Sequence, residues 1–167
     1  MKPTQRPLSQ RRRPGVPPSA PPPRNGRAEA VIRARVMVVD DHADTRDLLL
    51  TILKTEGYEV ALAEDGDDAL DRYRQQPADV VLMDLWMPRK DGVATIRDLR
   101  SEFRDVVIVA MSGDAPSAWR DALAEAREAG AQLTLRKPIE PWVLLRALEG
   151  LIAARKSLTA ANLHRTA

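Results

Sequence analysis

Val36-Met37-Val38-Val39-Asp40-Asp41, Val80-Val81-Leu82-Met83-Asp84 and Leu133-Thr134-Leu135-Arg136-Lys137-Pro138 decide how this chain is read. Each is a short apolar run that stops at charged residues. Short runs rich in Val and Leu, with no polar alternation, are the pattern of parallel strands buried on both faces. In open parallel sheets, ligands bind beyond the carboxyl ends of the strands. The three runs therefore bring Asp40, Asp41, Asp84 and Lys137 to one rim. Three acids and a lysine there suit a divalent cation and a phosphoryl group.

Working outward, strand and helix patterns alternate from residue 35. The Val36–Val39 strand precedes a helix at Asp44–Glu56, with Leu48, Leu49, Ile52 and Leu53 at helical spacing and Gly57 as its stop. A strand at Tyr58–Ala63 leads to a helix at Asp67–Gln75, with Ala69, Leu70 and Tyr73 inward and Pro77 beyond its end. Asp79–Met83 is the most apolar strand. Asp91–Glu102 is helical through Val93, Ile96 and Leu99, and Val106–Met111 is another buried strand. Pro116–Ala129 is helical, with Pro116 in the first turn and Gly130 past the end. Leu133–Leu135 is a short strand. Glu140–Ala154 is a helix whose face is Val143, Leu144, Ala147, Leu148 and Leu151. Five strands alternating with five helices predict an α/β fold, a parallel sheet covered on both faces. Right-handed crossovers and a switch point between the first and third strands select a doubly wound sheet in the order 2-1-3-4-5.

Bulk properties narrow the chemistry. The chain has no cysteine, which excludes disulfides, thiolate nucleophiles and zinc–sulfur sites. His42 and His164 are its only histidines, too few for a histidine metal cluster. No apolar run is long enough to span a bilayer, and no apolar core follows the basic N-terminus, so a cytoplasmic protein is expected. Residues 1–35 carry nine Lys/Arg against one acid, whereas residues 36–167 carry 17 against 23. The folded part is acidic, so the overall pI is no argument for nucleic-acid binding. Eight of the 13 prolines lie in residues 1–30. Such a segment cannot bury enough surface to offset its ordering entropy. The expected organisation is a disordered Pro/Arg-rich basic tail at 1–33, a domain at 34–155 and a helical extension or frayed tail at 156–167. A translation start near Val31 is a further reading, which the mass of the native protein decides.

The rim residues have assignable roles. Asp84, at the end of the third strand, is placed to act as a nucleophile toward phosphorus. Phosphoryl transfer depends mainly on positioning and electrostatics. Asp40 and Asp41 supply a magnesium site, Asp41 as a direct ligand and Asp40 through water; on its own, the pair also reads as a helix N-cap. Lys137 can pair with Asp84 and then with a phosphoryl oxygen, and Pro138 invites a cis bond that turns the lysine inward. Ser112, after the fourth strand, has a hydroxyl to donate to the phosphoryl group; alone it reads as a turn serine. His42 reads as a solvent-facing residue at a helix start.

Taken together, these residues make the chain resemble the response regulator receiver domain of two-component signalling, a chemotaxis-regulator-like unit of flavodoxin-like fold, over about residues 34–155. The resemblance rests on Asp40-Asp41, on Asp84 with Met87-Pro88 and Gly92, on Ser112 and on Lys137-Pro138. The spacings of 43 from Asp41 to Asp84 and 53 from Asp84 to Lys137 suit the family. It implies that Asp84 is phosphorylated by a histidine kinase or phosphotransfer protein with Mg2+, and that the backbone carbonyl of Trp86 is a metal ligand.

Two departures stand out. Thr134 occupies the place where the family usually has the Tyr or Phe of its switch, which moves attention for switching and output to Thr134 and Pro138. Trp86, two residues after Asp84, flanks the phosphoryl position and can shield it from water, or lie beside a partner-binding face. The 116–154 region is the face such domains commonly use for output. Trp119 and Trp142 are candidate anchors there, although Trp142, leading an amphipathic helix, reads better as core.

The leading expectation is a stand-alone regulatory protein, not a metabolic enzyme, that signals by protein contact. Alternatives are a phosphate shuttle or sink in a phosphorelay, and a nucleic-acid-associated regulator using the basic arm at residues 1–30. A magnesium phosphohydrolase is disfavoured, because such enzymes need an acid where Trp86 stands.

Overall fold

The computed structural model describes residues 33–113 and 119–163. The element order is β1 (Arg35–Val39), α1 (Ala43–Thr55), β2 (Glu59–Ala63), α2 (Gly66–Gln75), β3 (Val80–Asp84), α3 (Gly92–Glu102), β4 (Ile108–Ser112), α4 (Trp119–Glu128), β5 (Leu133–Arg136) and α5 (Pro141–Leu163). The strands form one parallel sheet in the order β2-β1-β3-β4-β5.

Side-chain alternation sorts the sheet into two faces. Met37, Val39, Val81, Met83, Ile108 and Ala110 pack with Ala69, Leu70 and Tyr73 of α2, Ile96 and Leu99 of α3, and Leu123 and Ala126 of α4. Val36, Val38, Val80, Leu82, Val109 and Met111 pack with Leu49 and Leu53 of α1 and with Leu144, Leu148 and Ile152 of α5. Both faces are covered, so β1, β3 and β4 carry apolar residues at consecutive positions. Burying each of these side chains contributes about 1.5–3 kcal/mol.

Local signals set the element ends. Asp65 and Asp91 cap α2 and α3, accepting from the backbone N–H of Asp68 and Ala94. Gly57, at φ +82°, follows α1 in a left-handed conformation open to glycine. Arg155 of α5 donates to the backbone oxygens of Ala78 and Asp79 at 3.3 and 2.7 Å, tying α5 to the start of β3.

Several boundaries differ from the sequence reading. Tyr58 precedes β2, and Val106 and Val107 are buried just ahead of β4. The last helix runs to Leu163, past Ala154. Leu48 is 61% exposed although it shares the spacing of the inward residues of α1. The core reading of Trp142 is wrong: the indole is 66% exposed. It lies in the first turn of α5, two positions from Leu144, which is about 200° around the helix from it. The Pro116 helix start, residues 1–32 with the basic arm, and residues 164–167 fall outside the described residues, as does the side chain of Trp119.

Candidate functional site

Backbone ladders carry the rim residues into place. Asp40 N–H donates to Ala63 O beyond β1, Leu85 N–H to Met111 O beyond β3, and Lys137 N–H to Ser112 O beyond β5. Asp84 and Ser112 are the last residues of their strands, β3 and β4. The loop after β3 folds back tightly. Gly92 N–H donates to Leu85 O, and a Cβ on Gly92 would stand 2.1 Å from Asp84 O. Only glycine allows that approach without moving backbone.

The side chains converge as the sequence anticipated. Lys137 Nζ lies 2.5 Å from Asp40 Oδ2 and 3.1 Å from Asp84 Oδ1. Both carboxylates are buried. Asp40 Oδ1 accepts from the backbone N–H of His42 at 2.9 Å, and Asp40 O accepts from Arg46 Nη1 at 2.7 Å. Asp41 Oδ1 is 2.9 Å from Nδ1 of His42, whose side chain is 71% exposed. The capping role of the acid pair goes to His42, which is the N-cap of α1 and makes no side-chain cap bond.

Burial pushes the Asp84 carboxyl above its ordinary range; the Lys137 ammonium opposes this, and the neighbouring Asp40 charge adds to it. A hydrogen bond from the Trp86 backbone also favours the charged form.

Among the described residues, Asp40, Asp41, His42 and Asp84 form a cluster whose potential ligand atoms lie within 4.8 Å of one another. Asp41 Oδ1 and Asp84 Oδ1 are buried without an aligned hydrogen bond, the Lys137 contact to Asp84 being an ion pair off the hydrogen-bond direction. Three clustered carboxylates, two of them against one ammonium and two with orphaned oxygens, fit a hard divalent cation.

The other candidates have partners of their own. Ser112 is fully buried, and its Oγ accepts from Trp86 Nε1 at 3.2 Å. Thr134 Oγ1 accepts from Arg127 Nη2 at 2.7 Å, which ties it to α4 rather than to the rim. The Lys137–Pro138 peptide is cis. Sequence reasoning missed the Trp86–Ser112 bond, which joins residues 26 positions apart and has no local signature. It also missed Arg46, in the first turns of α1, which reaches back to the Asp40 carbonyl.

A buried carboxylate at the end of β3, paired with a lysine beyond β5 and next to two acids beyond β1, agrees with the family comparison. The model of the response regulator receiver domain matches residues 36–149. This chain belongs to the response regulator receiver family.

Receiver-domain proteins similar to it include the transcriptional regulatory protein PdtaR of Mycobacterium tuberculosis, 34% identical over 134 residues, which are 80% of this chain and 63% of that protein. The response regulator MprA of Mycolicibacterium vanbaalenii is 37% identical over 127 residues, 74% of this chain and 49% of that protein. The chain thus spans between about half and under two thirds of these curated relatives. Among solved structures, the receiver domain of NtrX from Brucella abortus superposes with a TM-score of 0.66 at 28% identity, covering 71% of this chain and 98% of that one. Chemotaxis protein CheY4 of Vibrio cholerae gives 0.64 at 30%, again covering 71% and 98%. Membership places the chain in two-component signalling, on a flavodoxin-like sheet.

Proposed function

We propose that this receiver domain is a phosphorylation-controlled switch that accepts a phosphoryl group on Asp84 from a histidine kinase or phosphotransfer protein. The supporting observation is the placement of Lys137 between two buried carboxylates, 3.1 Å from Asp84. A carboxylate oxygen of Asp84 attacks phosphorus. The bond from phosphorus to the donor breaks, and the donor atom keeps the electron pair. The Lys137 ammonium would leave Asp84 for a phosphoryl oxygen, and the Ser112 hydroxyl would donate to another.

Asp41, Asp84 and the backbone carbonyl of Trp86 would hold Mg2+, with Asp40 acting through water. The ion would supply charge neutralisation between the carboxylate and the incoming phosphoryl group. The protein is read as regulatory rather than metabolic, and cytoplasmic; no described helix is long and apolar enough to cross a membrane. Output is by protein contact across α4, β5 and α5, where Trp142 is exposed.

The test is incubation with a small acyl phosphate and Mg2+, read by intact mass. One added phosphoryl group on the wild type and none on Asp84→Asn supports the proposal. No addition to the wild type overturns it.

A further inference from the structure

Trp86 lies in the loop after β3, two residues beyond Asp84, and its backbone favours the charged form of that carboxylate. Its indole Nε1–H donates to Ser112 Oγ at 3.2 Å. Ser112 is fully buried, whereas Trp86 is 49% exposed. Among the described residues, the one other bond of the Ser112 hydroxyl is to Gly113 O at 3.5 Å, the outer limit of hydrogen bonding.

A serine hydroxyl has one proton and two acceptor lone pairs. The indole has no acceptor and can engage Ser112 in one sense only. With one lone pair occupied by Nε1–H and only the long Gly113 contact for the proton among the described residues, the hydroxyl is turned toward use as a donor. A donor fixed before reaction loses little on meeting developing charge. A chain of hydrogen bonds also strengthens its members.

We infer that Trp86 is a positioning residue for phosphoryl transfer: its indole N–H holds the Ser112 hydroxyl so that the hydroxyl proton is presented to a phosphoryl oxygen on Asp84. This rests on the reading of Asp84 as the phosphoacceptor. It also assigns the aromatic partner of Ser112 to the loop after β3, at the exposed mouth of the site. Thr134, on β5, is engaged with Arg127 instead.

The experiment compares initial rates of phosphorylation by a small acyl phosphate with Mg2+ in wild type, Trp86→Phe, Ser112→Ala and the double variant. Trp86→Phe keeps the ring and removes the N–H. The expected result is a loss of about fivefold in Trp86→Phe, the rate equivalent of one net hydrogen bond. Ser112→Ala should lose at least as much, and the double variant no more than Ser112→Ala, because the indole acts only through the hydroxyl. A merely structural role would lower the melting temperature without this non-additivity. An independent readout is the NMR resonance of the Trp86 indole proton, which should shift in unphosphorylated Ser112→Ala.

A Trp86→Phe rate equal to wild type, or losses that multiply in the double variant, would overturn the inference while leaving Asp84 as the acceptor. Absence of phosphorylation in the wild type would instead remove the reading on which it rests.

Discussion

Lys137 is bound more closely to Asp40 than to the residue it is proposed to serve: 2.5 Å to Asp40 Oδ2 against 3.1 Å to Asp84 Oδ1. The lysine would therefore keep a partner if Asp84 were converted to an acyl phosphate. It also compensates charge that burial would otherwise penalise.

Removing that cation leaves Asp40 and Asp84 without compensation in a buried site. Lys137→Met is expected to lower stability by about 3 kcal/mol at neutral pH. Added Mg2+ should restore part of the loss by supplying positive charge at the same rim. Thermal unfolding in chelator and in Mg2+ checks both statements. An unchanged melting temperature in chelator would show that the pair is not compensated by Lys137.

The half-exposed indole of Trp86, two residues beyond Asp84, is proposed to shield an aspartyl phosphate from water, and Trp86→Asn would remove that apolar cover. The aspartyl phosphate of that variant is expected to decay several-fold faster than in wild type. Phosphoprotein lifetime by intact mass measures it, and equal lifetimes would remove the shielding role.

Gly92 meets the backbone of Asp84 too closely for a side chain. Gly92→Ala must displace the loop after β3 and is expected to cost about 1–3 kcal/mol of stability. Phosphorylation of Asp84 should fall as well, because the shifted peptide is that of the acceptor itself. Denaturant unfolding and the acyl-phosphate assay, run on one preparation, test the two effects together.

Tyr73 is buried against α3, and its hydroxyl donates to Ala78 O at 3.3 Å. Burial raises its phenol above the ordinary value of 10.0, Arg155 opposing and Asp79 adding to the shift. As pH climbs past that value, the unfolded chain loses its proton before the folded one. Stability held below it is therefore lost as pH rises through the folded value. Tyr73→Phe is expected to cost about 1 kcal/mol near neutrality, and the gap should narrow at alkaline pH. Melting curves of both proteins from about pH 8 to about pH 11 bracket the titration. A gap that stays constant would contradict it.

The sheet was legible because Val36–Val39, Val80–Met83 and Val106–Met111 are apolar at consecutive positions, which only a doubly covered sheet explains. The rim was legible for the same reason: a strand that ends in a charge fixes where that charge goes. Trp142 was misread because its place at the head of an amphipathic helix suggested burial, while its position around the helix axis turns it outward. Leu48 shows the same limit, since four apolar residues at helical spacing span a wider arc than the sheet covers. The Trp86–Ser112 bond joins the loop after β3 to the end of β4 through side chains alone, and no periodicity encodes such a meeting.

The clamp from Arg155 onto the start of β3 has a consequence for how such a chain diversifies. It fastens the layers at the amino ends of the strands, opposite the rim that carries Asp84. Substitutions at exposed rim positions such as Trp86 leave that fastening untouched. The division of labour between a fastened floor and a permissive roof is what makes one architecture reusable across many signals.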